Sequence, residues 1–214
     1  MLISKEYIEN GGVLGIWRME ESREELLEYF PGNLRQEAIA YIDGIRSPMR
    51  SIEWLSTRAM LFVLLGDGKS IQNHPDGRPY LTDHSYHISL SHTKEYAALL
   101  LHDSLPVGID IEARSERVKK VADKFISEEE YIDPSRKVIH QLLHWSAKES
   151  LFKLINRQGV DFKEHLRVHP FTPRDNGTIM AIETRGDTPR AHRLHYEVHD
   201  HYVLTWVMGN GTPE

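Results

Sequence analysis

Cysteine is absent from the 214 residues. That excludes disulfides, zinc–thiolate centres and thiol nucleophiles, and it fits a reducing compartment. Excess basic charge is absent too: 32 Asp and Glu against 26 Lys and Arg leave a net charge of −6. This balance speaks against a nucleic-acid partner, whose binding proteins are usually basic, but leaves room for a local basic patch that takes a small anion. Long apolar runs are missing as well. The longest, "MLFVLL" (Met60 to Leu65), falls far short of the ~20 residues of a membrane span. The opening "MLISKEYIENGG" carries acids early and has no apolar centre of the leader-peptide kind. A cytoplasmic protein with no membrane partner is expected. Hydrophobic residues at 40% and charged residues at 27% suit a packed soluble core.

The elements that are present alternate in type. "GVLGIWRM" reads as a strand, and "REELLEYFPG" as a short amphipathic helix stopped by Pro31-Gly32. "LRQEAIAYIDGI" is a second helical stretch. "SIEWLSTRAMLFVLLGDG" is a third, with Ser51 as its expected cap and Gly66 and Gly68 as its stop. "HPDGRPYLTD" is rich in turn residues. "HISLSHTKEYAALLLHD" predicts two strands joined near Thr93-Lys94, and "SLPVGIDIEAR" enters another after Pro106. "SERVKKVADKFISEEEYIDP" reads as helical, and "SRKVIHQLLHWSAKESLFKLINRQG" as a long helix ending at Gly159. "LRVH", "GTIMAIET", "HRLHYEVHD" and "HYVLTWVM" are strand-like. Each half thus runs strand, helices, strands, with the join at Ser104 to Pro106. The fold class is α+β with a duplicated architecture, and the halves are residues 1–105 and 106–214.

Three stretches carry candidate chemistry. In "VGIDIE" (Val107 to Glu112), alternation puts Asp110 and Glu112 on one face and Ile109 and Ile111 on the other. The two acidic Cα atoms lie ~6.5 Å apart, twice the strand rise, so both carboxylates reach one hard cation. Gly108 leaves space for a ligand at the backbone. The ordinary reading of this stretch alone is a solvated strand face. In "HWSAKESLFK" (His144 to Lys153), Glu149 and Lys153 stand at i, i+4 with Lys148 beside them. Alone they read as a surface ion pair contributing under ~1 kcal/mol. In "SLSHT" (Ser89 to Thr93), Ser91 and His92 sit at a strand end, either as turn residues or as phosphate contacts, and Arg78 lies in the upstream "DGRPYL".

Taken together these motifs resemble the 4′-phosphopantetheinyl transferases, in particular the longer, two-half class that activates carrier proteins of peptide and polyketide synthetases. The resemblance rests on "GIDIE", "WSAKESLFK" (Trp145 to Lys153), "SLSHT" and "GRPYL", in order from about Arg58 to Lys153. It implies a pseudo-duplicated fold in which each half is an antiparallel sheet packed with helices, and a monomer with pseudo-twofold halves. It implies transfer of 4′-phosphopantetheine from coenzyme A to a serine of an apo acyl or peptidyl carrier protein, with release of adenosine 3′,5′-bisphosphate. By the same resemblance Asp110, Glu112 and Glu149 are magnesium ligands, manganese being the substitute. Glu149 and Lys153 are the catalytic pair, with Glu149 or a metal-bound water as the base. Lys153 also contacts the coenzyme, together with Lys148, Arg58, Arg78, Ser91 and His92, the last at the 3′-phosphate. Arg35 is a loosely aligned basic candidate, and Glu130 sits where the family often carries an acid before Tyr, its ordinary reading being a helix-surface acid in an acidic run. Arg78 replaces what is often lysine, which keeps the charge but not the geometry. The rival readings are a non-catalytic module that binds coenzyme A or a carrier protein, and a magnesium-dependent phosphohydrolase. The intact acids and Lys153 oppose the first; the placement of histidine and lysine opposes the second.

Other signals are decoys. "GDGKS" (Gly66 to Ser70) lacks the glycine a phosphate-binding loop needs at position 63, which is Val63, and it follows a helix. Asn-Gly-Thr at Asn176 and Asn210 reads as turns. The histidine-dense "HYEVHDHY" (His195 to Tyr202) reads as a hairpin with polar residues outward.

Overall fold

Helix-start and helix-stop chemistry sets much of the first half. A computed structural model describes residues 1–8, 11–66 and 68–209; Asn210 and Asp67 of the two decoy motifs lie outside the described residues. Arg23–Glu28 (α1) begins in a capping box, with Ser22 and Glu25 each bonding the other's backbone N–H. Gly32–Asp43 (α2) follows. Pro48–Leu65 (α3) is capped by Ser47, whose side chain accepts from the Arg50 N–H, with Pro48 in the first turn. Ser51 is therefore not the cap: it lies inside the helix, and its hydroxyl donates to Ser47 O at 3.4 Å. Gly66 stops α3 at φ 82°, a conformation that favours glycine.

The chain divides into two compact units, Met1–Ser104 and Leu105–Glu214. In the first, Leu2–Ile8 (β1), Gly12–Arg18 (β2), His87–His92 (β5) and Tyr96–His102 (β6) form an antiparallel sheet in the order β1-β2-β6-β5. Ile71–Asn73 (β3) and Pro79–Leu81 (β4) make a separate ribbon. Leu55, Ala59, Met60 and Leu61 of α3 share one core with Val13, Trp17, Leu99 and Leu101. All of β6 is buried, which is why "YAALLLH" reads as an uninterrupted apolar run rather than an alternation.

In the second unit, Val107–Ala113 (β7), Leu166–Val168 (β8), Asn176–Glu183 (β9), Arg190–Val198 (β10) and Tyr202–Met208 (β11) form an antiparallel sheet ordered β7-β11-β10-β9-β8. Lys137–Ile155 (α4) packs on it, with Leu142, Leu143, Ala147 and Leu151 in the core. The helix ends at Asn156 in the left-handed region, φ 51°, short of Gly159. Asn176 opens strand β9 rather than making a turn.

The largest departure from expectation lies between β7 and α4. Residues 115–133 are not a helix but short 3-10 turns, Glu116–Lys120 and Ala122–Lys124, followed by loop. Their backbone polar groups are needed elsewhere. The Phe125 carbonyl accepts from Lys148 Nζ at 2.6 Å, and the Ser127 N–H donates to Glu130 Oε2 at 2.8 Å. A continued helix would spend both groups on its own ladder. Among the described residues no helix is long and apolar enough to cross a membrane.

Candidate active site

The chemistry of the second unit starts from how closely α4 approaches β7. Gly108 is the reason it can. A Cβ there would overlap the Ser150 carbonyl oxygen of α4 and lie 3.0 Å from the Ser150 carbonyl carbon. The glycine thus admits a helix backbone, not the ligand expected from sequence. Small hydroxyl residues complete the seam. Ser146 Oγ donates to Asp110 O at 3.2 Å, Ser150 Oγ donates to Thr205 O at 2.9 Å, and both hydroxyls lie within 2.9 Å of Thr205 Oγ1.

Pleating then turns Asp110 and Glu112 toward α4 while Ile109 and Ile111 are buried on the opposite face. Lys153 Nζ donates to Asp110 Oδ1 and to Ile109 O, both at 2.9 Å. Trp145 Nε1 donates to Glu112 Oε1 at 2.7 Å. Glu149 joins them electrostatically. Burial, then the charge of Asp110, raise its carboxyl, against the pull of Lys153. Glu112 is pushed up to about 7 by burial and by the charges of Asp110 and Glu149, against the Trp145 hydrogen bond. Glu112 and Glu149, both raised by burial beside the Asp110 carboxylate, form with it a hard-oxygen donor set short of positive charge. Among the described residues, however, no group of three or more His, Cys, Asp or Glu side chains stands arranged to hold a metal ion. Donor chemistry and electrostatics fit a small divalent cation; the three carboxylates do not converge on one point, and Lys153 supplies the nearby positive charge.

Trp145 is the residue of this cluster that the motif contained but to which no role was given. Its indole needs a partner once half-buried, and the only spacing clue is that Trp145 lies one turn before Glu149.

Lys148 requires correction. It is fully buried, and its three N–H donors end on Phe125 O, Glu130 Oε2 and Phe162 O, at 2.6, 2.8 and 3.0 Å. An ammonium has three donors, so none remains for a coenzyme. Glu130, its partner, also accepts from Val168 N at 2.8 Å and lies 3.6 Å from His144 Nδ1. Burial would raise this carboxyl, but His144 and Lys148 reverse the effect and hold it at about 2. The pair ties α4 to β8 and to the loop after the 3-10 turns; Glu130 is not a surface acid.

In the first unit, a cavity of about 870 Å³ opens between α3, the β3–β4 turn and β5. Arg58 and His92 both line it, and so do Arg46, Arg50, Glu53 and Trp54. Arg58 stacks 3.9 Å over the Trp54 ring, donates through Nη1 to Trp54 O, and forms no ion pair among the described residues. Burial lowers it to about 10. A desolvated guanidinium without a carboxylate favours an incoming anion. Arg46 and Arg50 were missed; the available signal was a pair of arginines flanking the Ser47-Pro48 helix start in an otherwise acidic chain.

Three other expected contacts stand apart. Ser91 is buried, facing away from its neighbours Leu90 and His92, which line the cavity. Its hydroxyl therefore does not serve there, because adjacent strand residues point to opposite faces. Arg78 sits between the cavity-lining Gly77 and Pro79, but its Nε pairs with Asp76 Oδ2 at 3.0 Å. Arg35 is spent on the Glu28 and Phe30 carbonyls at the end of α1. Lys69 of the "GDGKS" decoy pairs with Asp83.

Residues 106–207 match the family model of the 4′-phosphopantetheinyl transferase superfamily. The chain is 30% identical to a 4′-phosphopantetheinyl transferase of Aneurinibacillus migulanus over 58% of this chain and 55% of the relative. It is 29% identical to another from Bacillus pumilus, over 55% of this chain and 48% of the relative. The chain thus matches about half the length of these curated relatives. The matched segment contains the carboxylate cluster, Lys153 and the close β7–α4 seam, and it is this segment that is similar to the 4′-phosphopantetheinyl transferase superfamily.

Proposed function

We propose that this protein transfers 4′-phosphopantetheine from coenzyme A to a serine hydroxyl of an apo acyl or peptidyl carrier protein, releasing adenosine 3′,5′-bisphosphate. The observation that carries this reading is the mutually repelling trio Asp110, Glu112 and Glu149 with Lys153 bonded at its edge. The carboxylates are the groups that would hold magnesium, or manganese in its place. When bound, the metal supplies charge neutralisation to the pyrophosphate.

The chain's own residues then divide the work. The serine oxygen bonds to the phosphorus that carries the pantetheine arm, and the bridging P–O bond to the adenosine bisphosphate breaks. Glu149, raised by burial and by Asp110, is the side chain we assign to take the serine proton. Lys153 follows the charge that develops on the leaving phosphate. Trp145 holds the Glu112 carboxylate. Arg58 and His92 take phosphates of the coenzyme in the first unit's cavity, the expected 3′-phosphate falling to His92. Arg46 and Arg50 add charge to that wall.

The fold we infer is a duplicated one. Strand order β2-β6-β5 with α3 in the first unit parallels β7-β11-β10 with α4 in the second. In each, a strand leads to a long helix and then to a hairpin whose last strand pairs with the first.

The test is transfer of a fluorescent coenzyme A arm onto several apo carrier proteins with magnesium. Labelled carrier is expected, and its absence with every carrier, from a folded protein, rejects the transferase reading in favour of a binding module. Asp110→Ala and Glu149→Ala are expected to lower transfer by at least ~10³-fold, the scale of losing a transition-state charge contact. Both should keep melting temperatures near wild type; loss of the fold in both would assign these acids a structural role instead.

A further inference from the structure

His92 is held at the end of β5 by a tight turn. The Thr93 N–H donates to Tyr96 O at 2.7 Å, and Thr93 Oγ1 accepts from the N–H groups of Glu95 and Tyr96 at 3.2 and 3.0 Å. From the second turn of α3, Glu53 brings Oε1 to 3.5 Å from His92 Nδ1. This carboxylate is out of keeping with its surroundings. The same cavity wall presents Arg46, Arg50 and Arg58, and a site for anions gains nothing from a bare acid. Yet among the described residues Glu53 pairs with His92 and with none of the three arginines. Its side chain is 19% exposed against 45% for His92, so the acid sits behind and the imidazole in front.

We propose that Glu53 is a positioning residue that makes His92 a reader of the 3′-phosphate monoester of a nucleotide. A neutral imidazole that gives its Nδ1 proton to a carboxylate has only a lone pair at Nε2, which repels a phosphate. An imidazolium donates from both nitrogens. With Glu53 accepting at Nδ1 and the phosphate at Nε2, the ring is clamped between two anions and holds one proton taken from solvent. The charged groups of the lining are Glu53, Arg46, Arg50 and Arg58, all on α3 or just before it; Tyr41 of α2 adds a titratable hydroxyl, and in the β3–β4 turn, which lines the cavity through Gly77, Asp76 and Arg78 are paired with each other. The proposal rests on the coenzyme A reading and goes beyond it by naming how the 3′-phosphate is told from a free 3′-hydroxyl.

Calorimetric titration of the whole chain at pH 8.0 tests it, with adenosine 3′,5′-bisphosphate and adenosine 5′-monophosphate in two buffers of different ionisation enthalpy. The wild type is expected to prefer the bisphosphate and to take up a proton on binding it, and not on binding the monophosphate. Glu53→Gln should weaken the bisphosphate about tenfold, leave the monophosphate unchanged and reduce the proton uptake. Glu53→Asp should restore most of the affinity, and His92→Ala should abolish both preference and uptake. Equal effects of Glu53→Gln on the two nucleotides, or none on either, overturn the positioning role while the coenzyme reading stands. Failure of the wild type to bind either nucleotide overturns both.

Discussion

Glu112 has the clearest pH consequence of any single residue. Its carboxyl sits at about 7 in the folded protein against an ordinary value of 4.5, chiefly through burial and the charge of Asp110. A carboxyl raised on folding binds its proton more tightly in the native state than in the unfolded chain. The native state is therefore at no disadvantage below pH ~4.5 and loses stability as the pH rises through about 7. Without divalent cations, the melting temperature is expected to fall between pH 5 and 8. Glu112→Gln should flatten that fall and raise the melting temperature at pH 8 by roughly 2–4 °C for each kcal/mol relieved. An unchanged profile in the variant would show that Glu112 is not strained. Magnesium should raise the wild-type melting temperature at pH 8 by mass action, and less so in Glu112→Gln. The D-x-E spacing was legible from the sequence; the strain was not, because it arises chiefly from burial against another element, with Glu149, thirty-seven positions downstream, adding its charge.

At the scale of elements, the seam between β7 and α4 is set by absence of bulk. Gly108→Ala would drive a methyl group into the backbone at Ser150, which no side-chain rotation relieves. The expected cost is about 3 kcal/mol or more, the upper range of overpacking, read as a lowered denaturant midpoint. Near-wild-type stability would mean that the helix can retreat from the strand. The Lys148–Glu130 pair makes the complementary case. Lys148→Met should cost about 3–5 kcal/mol by stranding Glu130 in the interior, whereas Lys148→Met with Glu130→Leu should recover much of that loss. If the single and double variants were equally unstable, the cost would lie in packing rather than in an unpaired charge. The sequence placed Lys148 beside Glu149 on one helix and so suggested a shared role. One residue is 100° of helix, enough to send the lysine inward and leave the glutamate at the cluster.

At the scale of the whole molecule, the proposed function gives the two units separable tasks, and kinetics should separate them. Arg58→Met removes the proposed anion contact from the first unit's cavity and is expected to raise KM for coenzyme A about 10-fold or more with little change in kcat. Glu149→Gln should depress kcat with KM nearly constant. Both variants changing the same constant would reject this division. The cost to stability of Arg58→Met should be small, since its guanidinium is desolvated without a carboxylate partner.

What the sequence determined by itself was local and periodic. Alternation assigned Asp110 and Glu112 to one face, Ser-Pro and Gly bounded α3, and the motif order pointed to the superfamily. These features depend on neighbours within a few positions, where backbone geometry dictates the outcome. Tertiary structure alone decided the rest. It turned residues 115–133 away from helix because Phe125 and Ser127 bond a buried ion pair. It withdrew Lys148 and the Ser91 hydroxyl from the expected coenzyme contacts, and it brought Arg46, Arg50 and Glu53 to the cavity with Arg58 and His92. Those outcomes depend on which distant groups compete for the same donor, acceptor or volume, and that competition exists only once the chain is folded.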